Sequence, residues 1–293
     1  MEAKMIKFFV DAYADMFGEE LERCGLYLAP SKIKKCRSYI DFTGYKKETQ
    51  SELAESIAKG KLSIIPLTYE EWFEFFKAEI KNGNDIVFFS ISLKLMADKG
   101  KALKKVFADL NKKFPKNTAI LIDTQTISRG TSEIANLTNI IYKKENNLDI
   151  ALDYAESLIG RFVSVFALEG TEGLKKSGYF DKLLNTFAGA SLNLKPIISL
   201  DTEGNFKILD KTKTFKSAVS RLYSNVKENG QNIADYTFSI VYFNAQPEAE
   251  SLYKKFREIV NESEIRLVPM SLNNAILLGE KCVALTFHSK YNK

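Results

Sequence analysis

Histidine occurs once in this chain of 293 residues, at position 288, and cysteine three times, at positions 24, 36 and 282. One imidazole leaves a serine–histidine triad a single candidate, and no GxSxG elbow presents a serine to it. His288 is therefore expected at the surface rather than in a catalytic site. The cysteines form no CxxC pair and no acidic cluster has ligand spacing, so neither a metal nor any other cofactor is expected. Three unpatterned cysteines fit a reduced, cytoplasmic compartment. GxGxxG and GxxxxGK[ST] are both missing, and with them the standard phosphate cradles. No run approaches the roughly 20 apolar residues of a membrane span. The opening MEAKMIKFFVDAYAD carries an early acid and a short apolar run, unlike a signal peptide. A net charge of +5, from 42 basic and 37 acidic residues, is too mild to imply nucleic acid. Most lysines fall on polar helix faces, as in KALKKVFADLNKKF.

What is present is apolar and alternating. Hydrophobic residues make up 45% of the chain, with 21 Phe and 13 Tyr, enough for a large core. MIKFFV, DIVFFSI and TAILID read as strands buried on both faces. The segments around GEELERC, 47–60, 69–83 and 99–114 have helical spacing, the second stopping at Gly60. Residues 26–45 are irregular, with short extended pieces. Two further helical patterns over 130–160 are separated by Glu145-Asn146-Asn147. From 161 the pattern changes to RFVSVFAL, LKPIISL and NFKILD, the last two joined by a hairpin-type turn at Asp201-Thr202-Glu203-Gly204. A helix, a strand, a helix, a strand, a short helix and a last strand follow. The expected fold is α/β, with two α/β domains, 1–160 and 161–293. The first has a mainly parallel sheet and the second a mixed one, with a ligand cleft between them.

Ligands of α/β proteins bind at strand ends. Here those ends carry Asp11, Ser63, Thr68, Ser90, Ser92, Asp123, Thr124 and Ser128. Hydroxyl donors without a strong base suit the binding of a carboxylate better than the breaking of a bond. SRGTSEIANL (128–137) places a glycine and hydroxyls before a helix, and reads as a helix cap in preference to an anion site.

Taken in order, several segments resemble the DegV family of bacterial fatty-acid-binding proteins. FVDAYAD (9–15) is similar to the opening VDS..DLP, ISLKLMAD (91–98) to ISSxLSGT, and LIDTQTISRGT (121–131) to an IDS…SxGxG stretch. LKKSGYFDKLL…LNLKPIISLDTEGNFKILDKTKTFKSAV (174–219) follows LKKGGRI…IKPIL…xGxI…KxRTxKKA, the most specific of these matches. The resemblance implies non-catalytic binding of a long-chain fatty acid, with the carboxylate at the domain junction and the tail in an apolar tunnel. It also implies a partner, the kinase subunit that phosphorylates the lipid.

Carried over residue by residue, the pattern departs at the head group. The serine expected to touch the carboxylate falls on Leu93, with Ser92 just before it. The hydroxyls of a TTSQP-type segment fall on Ile64 and Ile65, with Ser63 and Thr68 nearby. The candidate ligand-binding set is therefore Ser92, Ser63, Thr68, Leu93, Ile64 and Ile65. Either the head group uses other donors, or the chain is a divergent member that has lost the carboxylate site and binds another apolar ligand or none. At the kinase-facing positions Tyr179 replaces an arginine, Lys213 another, and Leu277 a histidine. Restoring a hydroxyl by Leu93→Ser is expected to raise affinity for a fatty acid if the tunnel is intact.

Overall fold

The computed structural model describes residues 5–36, 38–40, 50–96, 98–176, 194–229 and 232–289. The chain opens with β1 (Ile6–Val10), α1 (Glu19–Cys24), β2 (Tyr27–Leu28), β3 (Lys32–Lys35) and β4 (Ser38–Ile40). It continues through α2 (Gln50–Ala58), β5 (Leu62–Ile65), α3 (Tyr69–Lys81), β6 (Asp85–Ser90), α4 (Asp98–Lys113) and β7 (Ala119–Asp123). The helices α5 (Arg129–Glu145) and α6 (Leu148–Leu158) precede β8 (Val163–Leu168) and α7 (Glu172–Lys176). Next come β9 (Lys195–Leu200), β10 (Phe206–Thr212), α8 (Phe215–Asn229) and β11 (Tyr236–Phe243). The last elements are α9 (Gln246–Arg257), β12 (Ile265–Pro269), α10 (Leu272–Leu278) and β13 (Cys282–Ser289).

The apolar runs of β1, β6 and β7 lie side by side in a parallel sheet of order β2-β1-β6-β7. Successive strand residues face opposite ways, and each face has its own helices. Phe9, Ile86 and Phe88 pack with Phe76 of α3 and Phe107 of α4. Phe8, Val10, Val87 and Phe89 pack with Ile134 of α5 and Leu158 of α6. Burial on both faces is why these strands read as unbroken apolar runs. Asn146, in the left-handed region at φ 48°, ends α5, and the Asn147 side chain caps α6, as the Asn-Asn break predicts.

The second sheet has order β10-β9-β8-β13-β11-β12 and is mixed: only β11 and β12 run parallel. One face is covered by α8 and α9, through Leu222, Val226, Leu252 and Phe256. The other face, with Phe166, Ile198, Phe243 and Ala284, merges with the α3/α4 side of the first sheet into one buried apolar cluster. Where a cleft was expected between the sheets, most of the space is therefore core.

A third, three-stranded sheet of order β4-β3-β5 was only partly legible, as short extended pieces before residue 45. Its strand β5 pairs antiparallel with β3, Ile64 opposite Ile33. The charge-rich β3 masks the pattern.

The two halves are pinned by buried polar groups. Asp15, 2% exposed, accepts from the Ser271 amide (2.6 Å), the Asn274 side-chain amide (2.8 Å) and the Ser128 hydroxyl. Beside it, the fully buried Arg129 binds Glu20 through both terminal nitrogens (3.0 and 2.9 Å) and Glu133 (2.6 Å). Arg266 of β12 closes this cluster onto Glu133 at 3.0 Å. The hydroxyls of 128–137 are thus spent on the fold: Ser128 makes no side-chain cap and bonds Asp15 instead, which corrects the expectation of a helix cap. His288 is also not a free surface side chain. It is half-buried in β13, tilted against Phe162 with centroids 4.4 Å apart and bonded through Nδ1 to Thr237 at 2.8 Å.

Removing a buried acceptor leaves its donors unsatisfied at about 1–3 kcal/mol each. Asp15→Ala is accordingly expected to lower unfolding free energy by about 3–5 kcal/mol in urea titration. Asp15→Asn, which keeps one acceptor, should lose less.

Candidate functional site

The strand β5 and the turn after it stand between two cavities. The larger, of about 200 Å³, lies between the halves. Ile57 of α2 and Leu62 and Ile64 of β5 form one wall, and Gly173, Ile276 and Leu277 the other. The close approach of that second wall depends on Gly173: a Cβ there would come within 2.6 Å of the Gly279 amide. The smaller chamber, of about 40 Å³, sits over the end of β1. Its polar lining comprises Asp11, Ser31, Lys32, Lys99 and Asn273, set beside Trp72 and Met96. Ile64, Pro66 and Lys99 line both spaces and form the waist between them.

The six predicted ligand residues divide evenly. Ile64 lines both cavities, Ile65 the smaller one and Ser63 the rim of the larger one. Alternation along β5 turns Ser63 outward, exposed, while Leu62 and Ile64 turn in. Thr68 is elsewhere. It is the N-cap of α3, accepting from the Glu71 amide at 3.2 Å while its own amide donates to Glu71 at 3.0 Å. Ser92 and Leu93 are also elsewhere, and line neither of these two cavities. The Ser92 amide donates to the Thr126 carbonyl at 2.7 Å, and its side chain is buried beneath the turn after β9. Only glycine fits at that contact: Gly204 has φ 83°, and a Cβ there would collide with the Ser92 hydroxyl. Leu93 packs against Gly100, and its amide donates to Asp123 at 3.1 Å. Leu277, at the position where the resemblance places a histidine, stands in the wall of the larger cavity. Tyr179 lies outside the described residues.

Lys99 and Asn273 were missed, although Lys99 follows the 91–98 stretch directly. A lysine at the start of a helix rich in lysines gives no signal, and Asn273 meets Asp11 only through the tertiary fold. Asp11 was seen as a strand-end acid, and its environment sets it apart. It is 4% exposed, with Oδ1 accepting from the Tyr13 amide at 3.1 Å and Oδ2 unpartnered among the described residues. Burial pushes its carboxyl up from 3.8 to about 6, against the opposite pull of the Tyr13 and Ile91 amides and the Ser90 hydroxyl.

Among the described residues no helix is long and apolar enough to cross a membrane, and no group of three or more His, Cys, Asp or Glu could hold a metal ion.

Three comparisons bear on this arrangement. The family model described as "Uncharacterised protein, DegV family" matches residues 5–290. A DegV domain-containing protein of Clostridium acetobutylicum is 26% identical over 159 residues, 54% of this chain and 54% of that one. Another, from Streptococcus pyogenes serotype M3, is 23% identical over 201 residues, 68% of each chain. Among solved structures, a fatty acid binding DegV family protein from Streptococcus agalactiae superposes with a TM-score of 0.80 at 20% identity, covering 99% of this chain and 100% of that one. A fatty-acid-binding DegV family protein from Thermus thermophilus gives 0.80 at 17% identity, covering 97% and 99%. DegV from Bacillus subtilis, a fatty acid binding protein, gives 0.79 at 14%, covering 98% and 100%. At these identities the superpositions establish the shared fold.

Two outcomes follow from the placement of Asp11 and Leu93. The folded chain holds the Asp11 proton above the pH at which the unfolded chain releases it, so between about pH 4 and 6 the folded form binds more protons and stability falls as pH rises. Asp11→Asn removes this cost. The variant should exceed the parent in stability by about 2.5 kcal/mol more at pH 7.5 than at pH 4, read from urea midpoints at the two pH values. Leu93→Ser should cost about 3 kcal/mol by opening a void and burying a hydroxyl. Because Leu93 lines neither cavity, fatty-acid affinity measured by fluorescent-ligand displacement should stay unchanged rather than rise.

Proposed function

Given that the chain belongs to the DegV family, we propose that it binds a long-chain fatty acid without transforming it, the carboxylate at the junction of the two halves and the acyl tail in the apolar cavity there. The observation that carries this reading is the larger cavity itself, whose walls are mainly aliphatic and come from both halves of the chain. An acyl tail gains about 0.8 kcal/mol for each CH₂ it buries, so such walls hold it with few polar contacts. The described relatives of like fold include proteins named for fatty acid binding. The lining of the two cavities offers two lysines, acids, an amide and hydroxyls, with no histidine or cysteine among them. That inventory favours a carrier over a catalyst. The reading takes residues 1–160 and 161–293 as the two domains.

Hand-over to a kinase is the part of the family's activity least supported in this chain. Leu277 puts an aliphatic side chain where a histidine would meet the partner, and Lys213 has one point charge in place of an arginine fork. A second reading, in which the carboxylate site is lost and another apolar ligand is held, draws on the aliphatic Ile64 and Ile65. The cavity's volume, below the roughly 300–1,000 Å³ of most ligand pockets, also favours a short occupant.

Protein purified from lipid-replete cells, denatured and extracted, is expected to release a fatty acid detectable by mass spectrometry. Leu277→Trp, which fills the cavity, should lower the retained amount at least about tenfold, a loss of roughly 1.4 kcal/mol. Extracts empty of any acyl compound, for parent and variant alike, would overturn the reading.

A further inference from the structure

The second sheet is not covered to its end. α8 and α9 seal one face over Val165, Ile240 and Leu285. Where β8 begins, α8 contributes a single residue, Asn225, and a cleft of about 610 Å³ stays open. That is three times the volume of the junction cavity and within the roughly 300–1,000 Å³ of most ligand pockets. β8 is an inner strand, paired with β9 on one side and β13 on the other. Its Val163 is nevertheless 38% exposed on the floor of the cleft, and Leu209 of β10, on the same cleft, is 37% exposed. Phe287, the register partner of Val163, forms the back wall with Tyr236, their ring centroids 5.9 Å apart. Exposed apolar surface of this kind, rimmed by polar groups, marks a site of contact. The cleft shares no lining residue with either cavity at the junction.

The rim is cationic. Lys207, Ser199 and Val165 stand in register across β10, β9 and β8. The Ser199 hydroxyl donates to the Ser164 carbonyl at 2.8 Å and has no second proton to give. The Lys207 ammonium makes no ion pair or hydrogen bond among the described residues. Arg161, just before β8, adds a second positive charge. The acid of the lining, Asp201, is engaged by its own turn, where Oδ1 accepts from the Glu203 and Asn205 amides, both at 2.9 Å. An occupant therefore needs a negative charge at one end and an apolar body. From Lys207 to Phe287 is three strand spacings, about 14 Å between backbones. Side chains at both ends shorten that gap to the length of two fused rings bearing an acid group. We propose that this cleft is a second binding site, for a small aromatic acid. Its rings lie on Val163, Leu209 and Phe287, and its carboxylate meets Lys207 on the side where Arg161 adds attraction. An open floor encloses a flexible acyl tail poorly, whereas a rigid ring covers it without loss of rotamer freedom. The site is independent of the fatty-acid reading.

The test titrates 2-naphthoate and its neutral isostere 2-naphthamide into the full chain by calorimetry. The acid should bind one to one. The amide, of the same shape without the charge, should bind about tenfold more weakly, the worth of one charge-assisted hydrogen bond. Lys207→Gln should erase that difference, and Val163→Glu, which sets a negative side chain on the floor, should abolish binding of the acid. Both positions are exposed, so both variants should keep the parent's urea midpoint. Excess dodecanoate should leave bound 2-naphthoate in place, and Lys207→Gln should retain as much fatty acid as the parent. Failure of 2-naphthoate to bind, equal binding of acid and amide, unchanged binding in both variants, or displacement by dodecanoate would overturn the proposal. Displacement would put the aromatic probe in the junction cavity instead. The fatty-acid reading is decided separately, by the extracts.

Discussion

The carboxylate of Asp15 is buried across the contact between the two halves and satisfied from both. Ser128 comes from its own half, Ser271 and Asn274 from the other. Burial pushes its carboxyl up, and these three donors pull it back. Sliding one half past the other would leave the acid without donors in an apolar surrounding, a cost of several kcal/mol. The relative placement of the halves is therefore nearly fixed. The apolar cluster that runs from Phe76 through Phe166 to Phe243 contributes most of the attraction but little direction. Direction comes from Asp15, with the buried Arg129 and its two glutamates alongside.

The candidate site inherits its geometry from that clamp. Asp15 lies four residues beyond Asp11 at the end of β1, and Ser271 and Asn274 flank Asn273 at the start of α10. The bonds of Asp15 thus carry Asn273 to the chamber that Asp11 lines. The same placement puts Ile276 and Leu277, one turn further along α10, opposite Ile57 and Leu62 in the larger cavity. Trp72, Phe88 and Phe107 surround Phe76 with ring centroids 4.9 to 5.7 Å away, which is contact packing. A chain rich in phenylalanine has filled that layer.

Much of the fold was legible because local patterns and tertiary environment agree. The runs FFV, IVFF and AILI announced strands covered on both faces, and Asp201-Thr202-Glu203-Gly204 announced the β9–β10 hairpin. The site was legible only where one strand set it. Ile64 and Ile65 line the cavities because alternation along a strand is a local rule. Ser92 and Leu93 do not, because the loop after β6 turns its amides to Thr126 and Asp123, which no pattern in 90–98 encodes. Asp11 and Asn273 line one chamber from nearly opposite ends of the chain, and neither residue has a spacing that points to the other. Ser128 misled for a related reason: hydroxyls before a helix are ordinarily caps, and this one serves an acid more than a hundred residues away.

Two acids at one strand end thus meet opposite fates, and the difference lies in their donors. Asp15 has three, enough to make a buried carboxylate part of the frame. Asp11 keeps only the Tyr13 amide within bonding geometry on Oδ1 and none on Oδ2. The chamber beside Asp11 also carries the aliphatic Ile64, Ile65 and Met96. Aliphatic walls keep water from screening the acid, which is why burial dominates its titration. A group left poised in this way responds strongly to whatever brings it a proton and a partner. An occupant of the chamber therefore changes the free energy of Asp11 far more than that of Asp15, and can bind there without disturbing the clamp that holds the halves together.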